Sequence, residues 1–467
     1  MDPNQIKRIY MIAICGTAMG SLAAMLKSRG YDVLGSDTDV YPPMSTFLSD
    51  HGIKVYSGFD EAHLDEKPDL VVIGNAMSRG NPEVEATLEQ KLRYASLPEV
   101  LREVFIRGRR SITVTGTHGK TTTSALLAWI FTHAGRDPGF LLGGIAQNFD
   151  AGFRDGKGPE FIIEGDEYDT AFFDKGPKFL HYLPEILIVN NIEFDHADIY
   201  DNIDQIKLNF QRMVNIVPRN GLFLAGAEDE NVRELLPRAF CPVQSFGLDA
   251  SLDWHADDIE TSENGVEFAV IHRGSFLGKV FIPMFGDHNI RNVLAAIAAG
   301  THVGIDFKKI KDALAKFKSV KRRMELRGEV NKIKVYDDFA HHPTEVQATL
   351  NAMRKRFPNS KIWAIYEPRT ATARRKIFQK KFITAFDDAD FVLIAPVNRP
   401  DKTTPDNLFS IEKLISDLTE RNVDSKAFGS VDAIVDFLTT SAKPEDIIIT
   451  LSNGGFGGIH DKLLTRL

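Results

Sequence analysis

Residues 111–123 carry the sequence SITVTGTHGKTTT, in which an apolar strand pattern runs into a turn with two glycines and then into a helical pattern. Glycines in such a turn let backbone N–H groups point at a phosphate, and the N-terminus of the next helix adds partial positive charge. Lys120 adds a full charge, and a hydroxyl at Thr121 suits Mg²⁺. These features predict a nucleotide-binding loop made of Gly116, Thr117, His118, Gly119, Lys120, Thr121 and Thr122.

The spacing of this loop departs from the common eight-residue phosphate loop. The residue five positions before Gly119 is Val114, so the pattern is the shorter Gly-x-x-Gly-Lys-Thr. The plainer alternative is a strand–turn–helix with an ordinary lysine at the helix start. The strand context and the run of threonines favour nucleotide binding.

Strand and helix patterns outward from the loop predict an α/β protein of three domains. Continuous apolar runs such as Leu70–Gly74 and Ile186–Asn190 suit parallel strands covered on both faces. Residues 240–285 show short alternating strands and predict an antiparallel insert, and the charged stretch 316–327 predicts a linker. We expect domains at residues 1–108, 109–320 and 321–467.

Composition limits the function classes. The chain has 467 residues, 43% of them hydrophobic, a formal net charge of -8 and two cysteines. Negative charge argues against a nucleic-acid partner, and two cysteines cannot form a disulfide framework. Met1–Asn4 lack a basic leader region, and no run of 18 apolar residues suggests a membrane span. We expect a cytoplasmic enzyme with no membrane partner.

A second glycine turn follows the first strand pattern, at Gly16 and Gly20. Its Gly-x-x-x-Gly spacing lacks the dinucleotide fingerprint, so it serves either helix packing or the diphosphate of a UDP-sugar. Glu164 ends the apolar strand 161–163, at the sheet edge where α/β folds bind ligands. It is a candidate metal ligand, and the alternative for the acidic run 164–169 is a solvated loop.

Several motifs resemble the Mur ligases, bacterial enzymes of cell-wall peptide synthesis, over nearly the whole chain. They are GTHGKTTT at 116–123, Ser36-Asp37, NPE at 81–83, NNIEFDH at 190–196, GDHNIRN at 286–292 and DDFAHHPTE at 337–345. The resemblance implies a Rossmann-like N-terminal domain, a central P-loop ATPase domain and a Rossmann-like C-terminal domain. It also implies ATP and Mg²⁺, with an acyl phosphate that an amine attacks.

The resemblance assigns expected roles to residues of this chain. It implies metal ligation by Thr121, Glu164 and His196, with a structural histidine as the alternative for His196. The catalytic residues expected are Lys120, Glu164, His196 and Arg323. Nucleotide contacts are expected from Asn289, Asn292, Arg323 and Asp338, with a solvated basic linker as the alternative for the arginine. Substrate contacts are expected from Gly16, Gly20, Ser36, Asp37, His341 and His342. Lys207 is either an exposed helix lysine or a carbamylated metal ligand.

Three further segments bear on the amine substrate: 164–170, 367–375 and 452–460. They look like the family member that adds the tripeptide L-Ala-γ-D-Glu-meso-diaminopimelate to UDP-N-acetylmuramate. Guanidinium groups suit its carboxylates, so we expect substrate contacts from Arg369, Arg374, Arg375, Asn453 and Gly454. A basic helix face is the alternative for the arginines. The member that adds L-alanine is the second candidate. A non-catalytic nucleotide-dependent regulator and a dinucleotide-dependent oxidoreductase are the alternatives from other classes. Oligomeric state and the third peptide residue are left open.

Overall fold

The computed structural model describes residues 3–467. Met1 and Asp2, part of the N-terminal stretch examined for a leader, lie outside the described residues. The chain forms two compact units. The first comprises the residues up to Ile192, then Asp204–Phe246 and Ala295–Ala313, and the second comprises Glu193–Ile203, Gly247–Leu294 and Leu314–Leu467. In residues 3–467 we find no helix with the length and apolar character needed to cross a membrane.

The first unit opens with a five-stranded parallel sheet in the order β3-β2-β1-β4-β5. Its strands are β1 Arg8–Ile12, β2 Asp32–Asp37, β3 Lys54–Ser57, β4 Leu70–Ile73 and β5 Tyr94–Ser96. Its helices are α1 Thr17–Ser28, α2 Met44–Asp50, α3 Pro82–Glu89 and α4 Leu97–Val100. The strand order reverses at β1, and parallel sheets form a ligand crevice at such a point.

A second sheet of the first unit runs β14-β13-β12-β6-β9-β7-β8 and is parallel except for the β7–β8 pair. Its strands are β6 Arg110–Thr115, β7 Gly139–Ala146, β8 Ala151–Arg154, β9 Glu160–Glu164, β12 Pro184–Val189, β13 Leu222–Gly226 and β14 Val243–Gly247. A small ribbon pairs β10 Asp169–Ala171 with β11 Asp174–Pro177. The helices are α5 Lys120–His133, α6 Ile203–Asn215 and α7 Glu230–Arg233. Because β6 lies between β9 and β12, three strand ends meet at one edge.

The predicted antiparallel insert is confirmed in the second unit for residues 254–282, whereas the start of the predicted range contains β14, which pairs parallel with β13. It consists of β15 Trp254–Ser262, β16 Gly265–His272 and β17 Ser275–Ile282, paired antiparallel in that order. The turns fall at residues 263–264 and 273–274, where the sequence pattern placed them. The chain continues as α8 Asp287–His302 and α9 Phe307–Leu314.

The C-terminal part of the second unit is a six-stranded sheet in the order β18-β19-β23-β20-β21-β22. Its strands are β18 Glu325–Val330, β19 Ile333–Asp338, β20 Ile362–Tyr366, β21 Phe391–Ile394, β22 Asp424–Ala427 and β23 Ile447–Leu451. Only β18 runs antiparallel to its neighbour. The helices are α10 Pro343–Arg356, α11 Phe382–Ala385, α12 Ile411–Glu420, α13 Val431–Ser441 and α14 Ile459–Arg466. Alternate side chains of the strands enter separate cores on the two faces.

One predicted boundary is wrong. The charged stretch 316–327 was expected to be a linker, but β18 begins within it at Glu325. The strand is an edge strand whose residues are mostly half-buried or exposed, and an edge strand carries charges on its open side without cost to the core. A charged sequence at a sheet edge therefore resembles a linker.

Candidate active site

The phosphate loop follows β6, at the edge where β9 and β12 also end. Val114 pairs in register with Glu164 of β9, and Thr115 pairs with Val189 of β12. The carboxyl ends of three adjacent parallel strands therefore bring the loop, Glu164 and the segment after Val189 together. Open α/β sheets bind ligands at such an edge, so the fold places the predicted loop where a ligand can reach it.

Two asparagines that follow β12 support the loop. The Thr117 N–H donates to the Asn191 carbonyl at 3.0 Å, and the His118 N–H donates to Asn191 Oδ1 at 2.8 Å. Gly116 has φ +122° and a Cβ there would lie 2.9 Å from the Asn191 carbonyl oxygen. Glycine is thus required by backbone conformation and by space. The Asn190 amide also donates to the His118 carbonyl at 3.2 Å. Both asparagines belong to the motif at 190–196, and nothing in the sequence indicated this role for them.

Lys120, the first residue of α5, is folded back onto the loop. Its Nζ donates to the carbonyls of Gly116 at 2.6 Å and Thr117 at 3.2 Å. It also contacts the two carboxylate oxygens of Glu167, at 3.1 and 3.0 Å. Burial acts to lower the pKa of Lys120, but the charge of Glu167 beside it raises that pKa above its ordinary value. The lysine is therefore held as a cation.

Thr121 and Glu164 are joined by one hydrogen bond. The Thr121 hydroxyl donates to Glu164 Oε2 at 3.0 Å, and the Gly143 N–H donates to Oε1 at 2.5 Å. A hydroxyl and a carboxylate this close offer the hard oxygen donors that Mg²⁺ prefers. The residues present therefore fit a magnesium ion. Thr122 is buried, so its expected contact with nucleotide is limited to its backbone.

The acidic run after Glu164 is not the solvated loop that was the alternative. Glu167 is 3% exposed and paired with Lys120. Asp166 pairs with Lys178 at 2.7 Å. Lys207 on α6 is also not an exposed lysine, because it is half-buried and forms an ion pair with Glu234.

Two expected substrate residues of the N-terminal sheet are buried. Gly20 lies inside α1, where a Cβ would be 2.5 Å from the Met44 sulfur, so this glycine serves helix packing. Ser36 is 0% exposed and its hydroxyl donates to buried Glu83 at 2.5 Å. Both residues therefore have internal structural roles, and their expected substrate contacts stay predictions. Polar Ser36 looked like a ligand contact because its buried partner lies 47 residues along the chain.

Gly16 and Asp37 remain at the crevice beside β1. Gly16 is exposed and immediately precedes α1. The Asp37 carboxylate accepts a hydrogen bond from the Cys15 N–H at 2.9 Å. The buried Glu83 carboxylate accepts hydrogen bonds from Tyr10 Oη at 2.8 Å and from the His63 imidazole at 2.7 Å, and so links three segments of this domain. Glu83 belongs to the motif at 81–83, and its carboxylate forms hydrogen bonds with other residues of the same sheet and its loops.

In the second unit, the segment Glu193–Ile203 carries His196 and packs on the C-terminal sheet. The Ala197 N–H donates to Thr372 Oγ1 at 3.3 Å, and the Arg375 guanidinium donates to the Ala197 carbonyl. Glu193 accepts from the Thr344 hydroxyl at 2.8 Å. His196 has φ +55°, in the left-handed region. One of the five guanidinium donors of Arg375 is thus used by protein backbone, and its expected contact with a peptide carboxylate stays a prediction.

Asp195, beside His196, is a buried carboxylate surrounded by imidazoles. Burial acts to raise its pKa, but His196, His341 and His342 together hold the pKa at about 2. The residue was not singled out from sequence. Its neighbour His196 is visible in the sequence, but His341 and His342 come close to Asp195 only when the chain folds.

The expected nucleotide contacts on α8 are engaged with each other. The Asn289 side chain donates to the Phe285 carbonyl at 2.8 Å and accepts from the Asn292 amide at 3.3 Å. Asn292 is buried. Burial lowers the pKa of neighbouring His288 to about 4, so its ring is neutral at pH 7. These contacts fix the start of the helix.

Asp338 and the two arginines near it have different surroundings. Asp338 ends β19 and accepts from the N–H groups of Met324 at 2.7 Å and Ala340 at 2.8 Å. Burial raises its pKa to about 6. Arg323 lies over the Phe339 ring, 5.2 Å from its centroid. Arg322, which the sequence did not single out, pairs with buried Asp337 at 3.1 Å.

The glycine-containing loop 452–455 follows β23, between the ends of β19 and β20. Arg322 donates to the carbonyls of Ser452 at 2.5 Å and Gly454 at 2.8 Å. A Cβ at Gly454 would lie 2.2 Å from Arg369 Nε, so glycine is required for the arginine to cross this backbone. Arg369 also contacts Glu367 at 3.5 Å. The structure thus brings the predicted residues Arg369 and Gly454 into direct contact.

Two buried polar atoms near this edge lack a hydrogen-bond partner among the described residues. They are Arg374 Nε and Asn453 Oδ1. Arg374 makes one long contact, from Nη1 to the Asn398 carbonyl at 3.4 Å. Buried polar groups are rarely left unpaired. Both residues were expected to contact the amine substrate, and this stays a prediction.

The two adjacent histidines differ. His342 is 2% exposed and caps α10, where its Nδ1 accepts from the Thr344 N–H at 3.3 Å. Its ring therefore has an internal role as a helix cap, and its expected substrate contact stays a prediction. His341 is half-buried and lies 3.3 Å from Glu345. A histidine at a helix start is easily mistaken for a ligand because capping histidines are less common than capping serines.

Three family descriptions match consecutive parts of the chain. Residues 8–109 match "Mur ligase family, catalytic domain", residues 114–300 match "Mur ligase middle domain", and residues 322–454 match "Mur ligase, glutamate ligase domain". These three matches leave only short gaps between residue 8 and residue 454.

Individual relatives match over nearly their full length. The chain is 43% identical to a UDP-N-acetylmuramate–L-alanyl-γ-D-glutamyl-meso-2,6-diaminoheptandioate ligase of Haemophilus influenzae, over 99% of both chains. It is 33% identical to a UDP-N-acetylmuramate–L-alanine ligase of Desulforapulum autotrophicum, over 98% of both. A crystal structure of a murein peptide ligase from Psychrobacter arcticus superimposes with a TM-score of 0.72 at 38% identity, covering 98% of each chain.

Proposed function

The chain belongs to the Mur ligase family, and we propose that it joins UDP-N-acetylmuramate to the tripeptide L-Ala-γ-D-Glu-meso-diaminopimelate at the expense of ATP. The observation that carries the proposal is the 43% identity with a ligase named for that reaction, against 33% with an L-alanine ligase. Both alignments span almost the entire chain, so the two identities are compared over nearly the same residues. ATP and UDP-sugars are cytoplasmic metabolites, and we place the reaction in that compartment. The product is a peptide-bearing cell-wall precursor, in keeping with peptidoglycan recycling.

The reaction has two balanced steps. A muramate carboxylate oxygen attacks the terminal phosphorus of ATP, the bond to the bridging oxygen breaks, and ADP leaves. The amine nitrogen of the peptide then attacks the acyl carbon, inorganic phosphate leaves, and the nitrogen loses a proton. Each step gathers negative charge on phosphate oxygens, and stabilising that charge is the main task of the site.

In the first unit, the loop from Gly116 to Lys120 supplies N–H groups and one cation for the phosphates. Thr121 and Glu164 are the proposed ligands of Mg²⁺, which when bound offsets phosphate charge. Gly16 and Asp37 are the proposed contacts of the UDP-sugar, at the crevice where the strand order reverses. His196, which belongs to the second unit, is retained as a predicted metal ligand on the family resemblance.

In the second unit, we propose that Asn289, Asn292, Arg323 and Asp338 serve the nucleotide. Asp338 keeps its carboxylate oriented through two backbone N–H groups. His341 is a candidate for substrate contact at the edge where β19 ends. Asp338 can accept a further hydrogen bond without losing these two, because a carboxylate oxygen accepts more than one.

The amine substrate is proposed to bind at the edge formed by β19, β23 and β20. Arg369, Arg374, Asn453 and Gly454 are its proposed contacts. The unpartnered atoms Arg374 Nε and Asn453 Oδ1 provide a donor and an acceptor, and a guanidinium pairs well with a carboxylate. Free L-alanine has one carboxylate, whereas the tripeptide has several, so an arginine-containing site favours the peptide.

The test is a phosphate-release assay with UDP-N-acetylmuramate, ATP and either amine. We expect the tripeptide to have the higher specificity constant, and release to require both substrates. Equal or better use of L-alanine would assign the chain to the L-alanine ligases instead. ATP binding without any ligation would leave a nucleotide-dependent regulator.

A further inference from the structure

The carboxylate of Glu83 is the centre of a buried hydrogen-bond network in the N-terminal sheet. The residue is 0% exposed. Its Oε1 accepts from the Tyr10 hydroxyl, the His63 imidazole and, at 3.3 Å, the Asp60 N–H. Its Oε2 accepts from the Ser36 hydroxyl. Burial raises the pKa of Tyr10, so that hydroxyl keeps its proton and acts as a donor. One carboxylate therefore joins four separate segments of the chain.

A carboxylate in this position is costly to the fold. No lysine or arginine within residues 3–467 forms an ion pair with it, and its neighbours in the core include Ile12 and Val84. Burying a carboxylate among apolar side chains is unfavourable unless hydrogen bonds satisfy its oxygens. A network that is fully satisfied holds its members in one geometry. The geometry that Glu83 fixes is that of the end of β2.

Ser36 connects this network to the turn before α1. Its carbonyl accepts from the Ile14 N–H at 3.1 Å. The carboxylate of the next residue, Asp37, accepts from the Cys15 N–H at 2.9 Å. Gly16 follows, and α1 begins at the residue after it. The last two residues of β2 therefore hold two successive N–H groups of the turn, and the orientation of Ser36 sets the position of both.

The same turn has a strained backbone. Ala13 has φ +64°, in the left-handed region that disfavours residues with a Cβ. Space on its other side is limited, because a Cβ added at Gly74 would lie 3.2 Å from the Ala13 Cβ. A strained residue keeps its conformation only when the surrounding structure imposes it. The hydrogen bonds from the end of β2 are part of that structure, so loosening Ser36 would let the turn relax.

We propose that Glu83 positions Asp37 and the turn before α1 for the UDP-sugar by accepting the hydrogen bond of Ser36. The inference rests on the proposed function, because it takes the crevice beside β1 to bind UDP-N-acetylmuramate. Glu83 is a positioning residue, since its buried carboxylate acts through Ser36 and not on the ligand. The phosphate loop belongs to a different sheet, so the affinity for ATP does not depend on this network.

The experiment measures the KM values for UDP-N-acetylmuramate and for ATP by phosphate release from the full chain, with the other substrates saturating. Ser36→Ala removes the donor. Glu83→Gln keeps the side-chain size, and its single carbonyl oxygen can serve the three donors on the Oε1 side only if its amide nitrogen faces Ser36. Each variant should raise the KM for the UDP-sugar about tenfold, as for one charged hydrogen bond. The KM for ATP and kcat should stay within about twofold, because only substrate binding is weakened.

Tyr10→Phe is the matched control, since it removes one hydrogen bond from the same carboxylate and leaves the bond to Ser36 in place. Its thermal midpoint of unfolding should fall about as far as that of Ser36→Ala, whereas its KM for the UDP-sugar should stay within about twofold of wild type. A network that only stabilises the fold would instead change the KM equally in both variants.

The double variant Ser36→Ala with Glu83→Gln tests whether the two residues act through one bond. Its KM for the UDP-sugar should equal that of either single variant, because both substitutions break the same hydrogen bond. If Glu83→Gln does not fold, Glu83→Asp replaces it. That carboxylate is one methylene shorter and cannot reach Ser36 and the Oε1 donors together, so the KM should rise in the same direction.

The outcomes separate the inference from the proposed function. An unchanged KM for the UDP-sugar in the Glu83 variant overturns the positioning role, and a raised KM in Ser36→Ala alone would then indicate direct contact of Ser36 with the substrate. An equal rise of KM in Tyr10→Phe also overturns the role of Glu83. Failure of wild type to turn over UDP-N-acetylmuramate overturns the proposed function itself.

Discussion

The phosphate loop of the first unit and the loop 452–455 of the second unit are built alike but held differently. Each follows the middle one of three adjacent parallel strands. In each, one partly buried cationic side chain donates hydrogen bonds to two backbone carbonyls of the loop. In the first unit that cation is Lys120, which is shared with Glu167. In the second it is Arg322, which is paired with Asp337 and binds two carbonyls at 2.8 Å or less.

The two cations have different chemistry. An ammonium is a point charge that can turn towards a new anion, whereas a guanidinium is a planar fork that fixes several acceptors at once. The lysine suits a loop whose cation is proposed to meet the phosphates of a nucleotide. The arginine suits a loop of fixed shape beside Arg369 and Arg374, the proposed contacts of the amine substrate.

The largest expected effect is on turnover at the phosphate loop. Lys120→Ala should lower ligation by at least about a hundredfold, because one electrostatic contact in a transition state is worth roughly 3 kcal/mol. The measurement is kcat in the phosphate-release assay, with thermal unfolding to verify that the variant is folded. Near-normal turnover would show that Lys120 does not take part in the reaction, and the proposed difference between the two cations would then fail.

The next effect is the pH dependence that Asp338 gives to stability. Its pKa is raised from 3.8 to about 6 by burial, so the folded protein binds this proton more tightly than the unfolded chain. The stabilisation is complete below about pH 4 and is lost as pH rises through about 6, amounting to at most about 3 kcal/mol. Asp338→Asn should flatten this part of the curve. Denaturant unfolding of both proteins between pH 4 and 7 measures it, and parallel curves would contradict the prediction.

A smaller effect is expected at Arg322. In Arg322→Lys, a single nitrogen would have to replace both Nε, which donates to Asp337, and Nη2, which donates to the carbonyls of Ser452 and Gly454. We expect the free energy of unfolding to fall by about 2 kcal/mol, the usual cost of leaving a charged hydrogen-bond group unsatisfied. Arg327→Lys, on the nearby exposed strand, is the control. If Arg322→Lys is as stable as wild type but loses turnover, this arginine acts like Lys120 and the distinction between the loops fails.

The smallest effect is on amine selection. Arg374→Ala should lower the specificity constant for the tripeptide about tenfold, as expected for one charged hydrogen bond, with little change in the KM for ATP. Arg399→Ala, an exposed neighbour, provides the control. Equal losses for tripeptide and L-alanine would show that Arg374 supports the fold and does not select the amine.

Strand ends and glycine turns could be predicted because their signals are local. An apolar run, a glycine and a lysine are adjacent in sequence around Gly119, and they remain adjacent in the structure. The same holds for the hairpin turns of the insert. The residues at the ends of β9 and β12 were also placed correctly, since parallel strands bring their carboxyl ends to one edge.

Side-chain direction could not be predicted where a distant partner decides it. Ser36 points inward because Glu83 accepts its hydroxyl, and nothing near Ser36 in sequence announces this. Arg322 and Arg323 are neighbours with identical side chains, but Arg322 adopts φ +63° and turns towards Asp337. The pairing of Glu167 with Lys120 likewise depends on the path of the chain after β9.

The contact between Arg375 and Ala197 has a consequence for how the protein is made. The two residues are 178 positions apart, and translation adds roughly 5–20 residues per second. The segment Glu193–Ile203 therefore leaves the ribosome roughly ten to forty seconds before its partners in the second unit exist. A fragment beginning at residue 321 would never receive that segment, and its Phe378 ring would lose the packing that Phe194 provides.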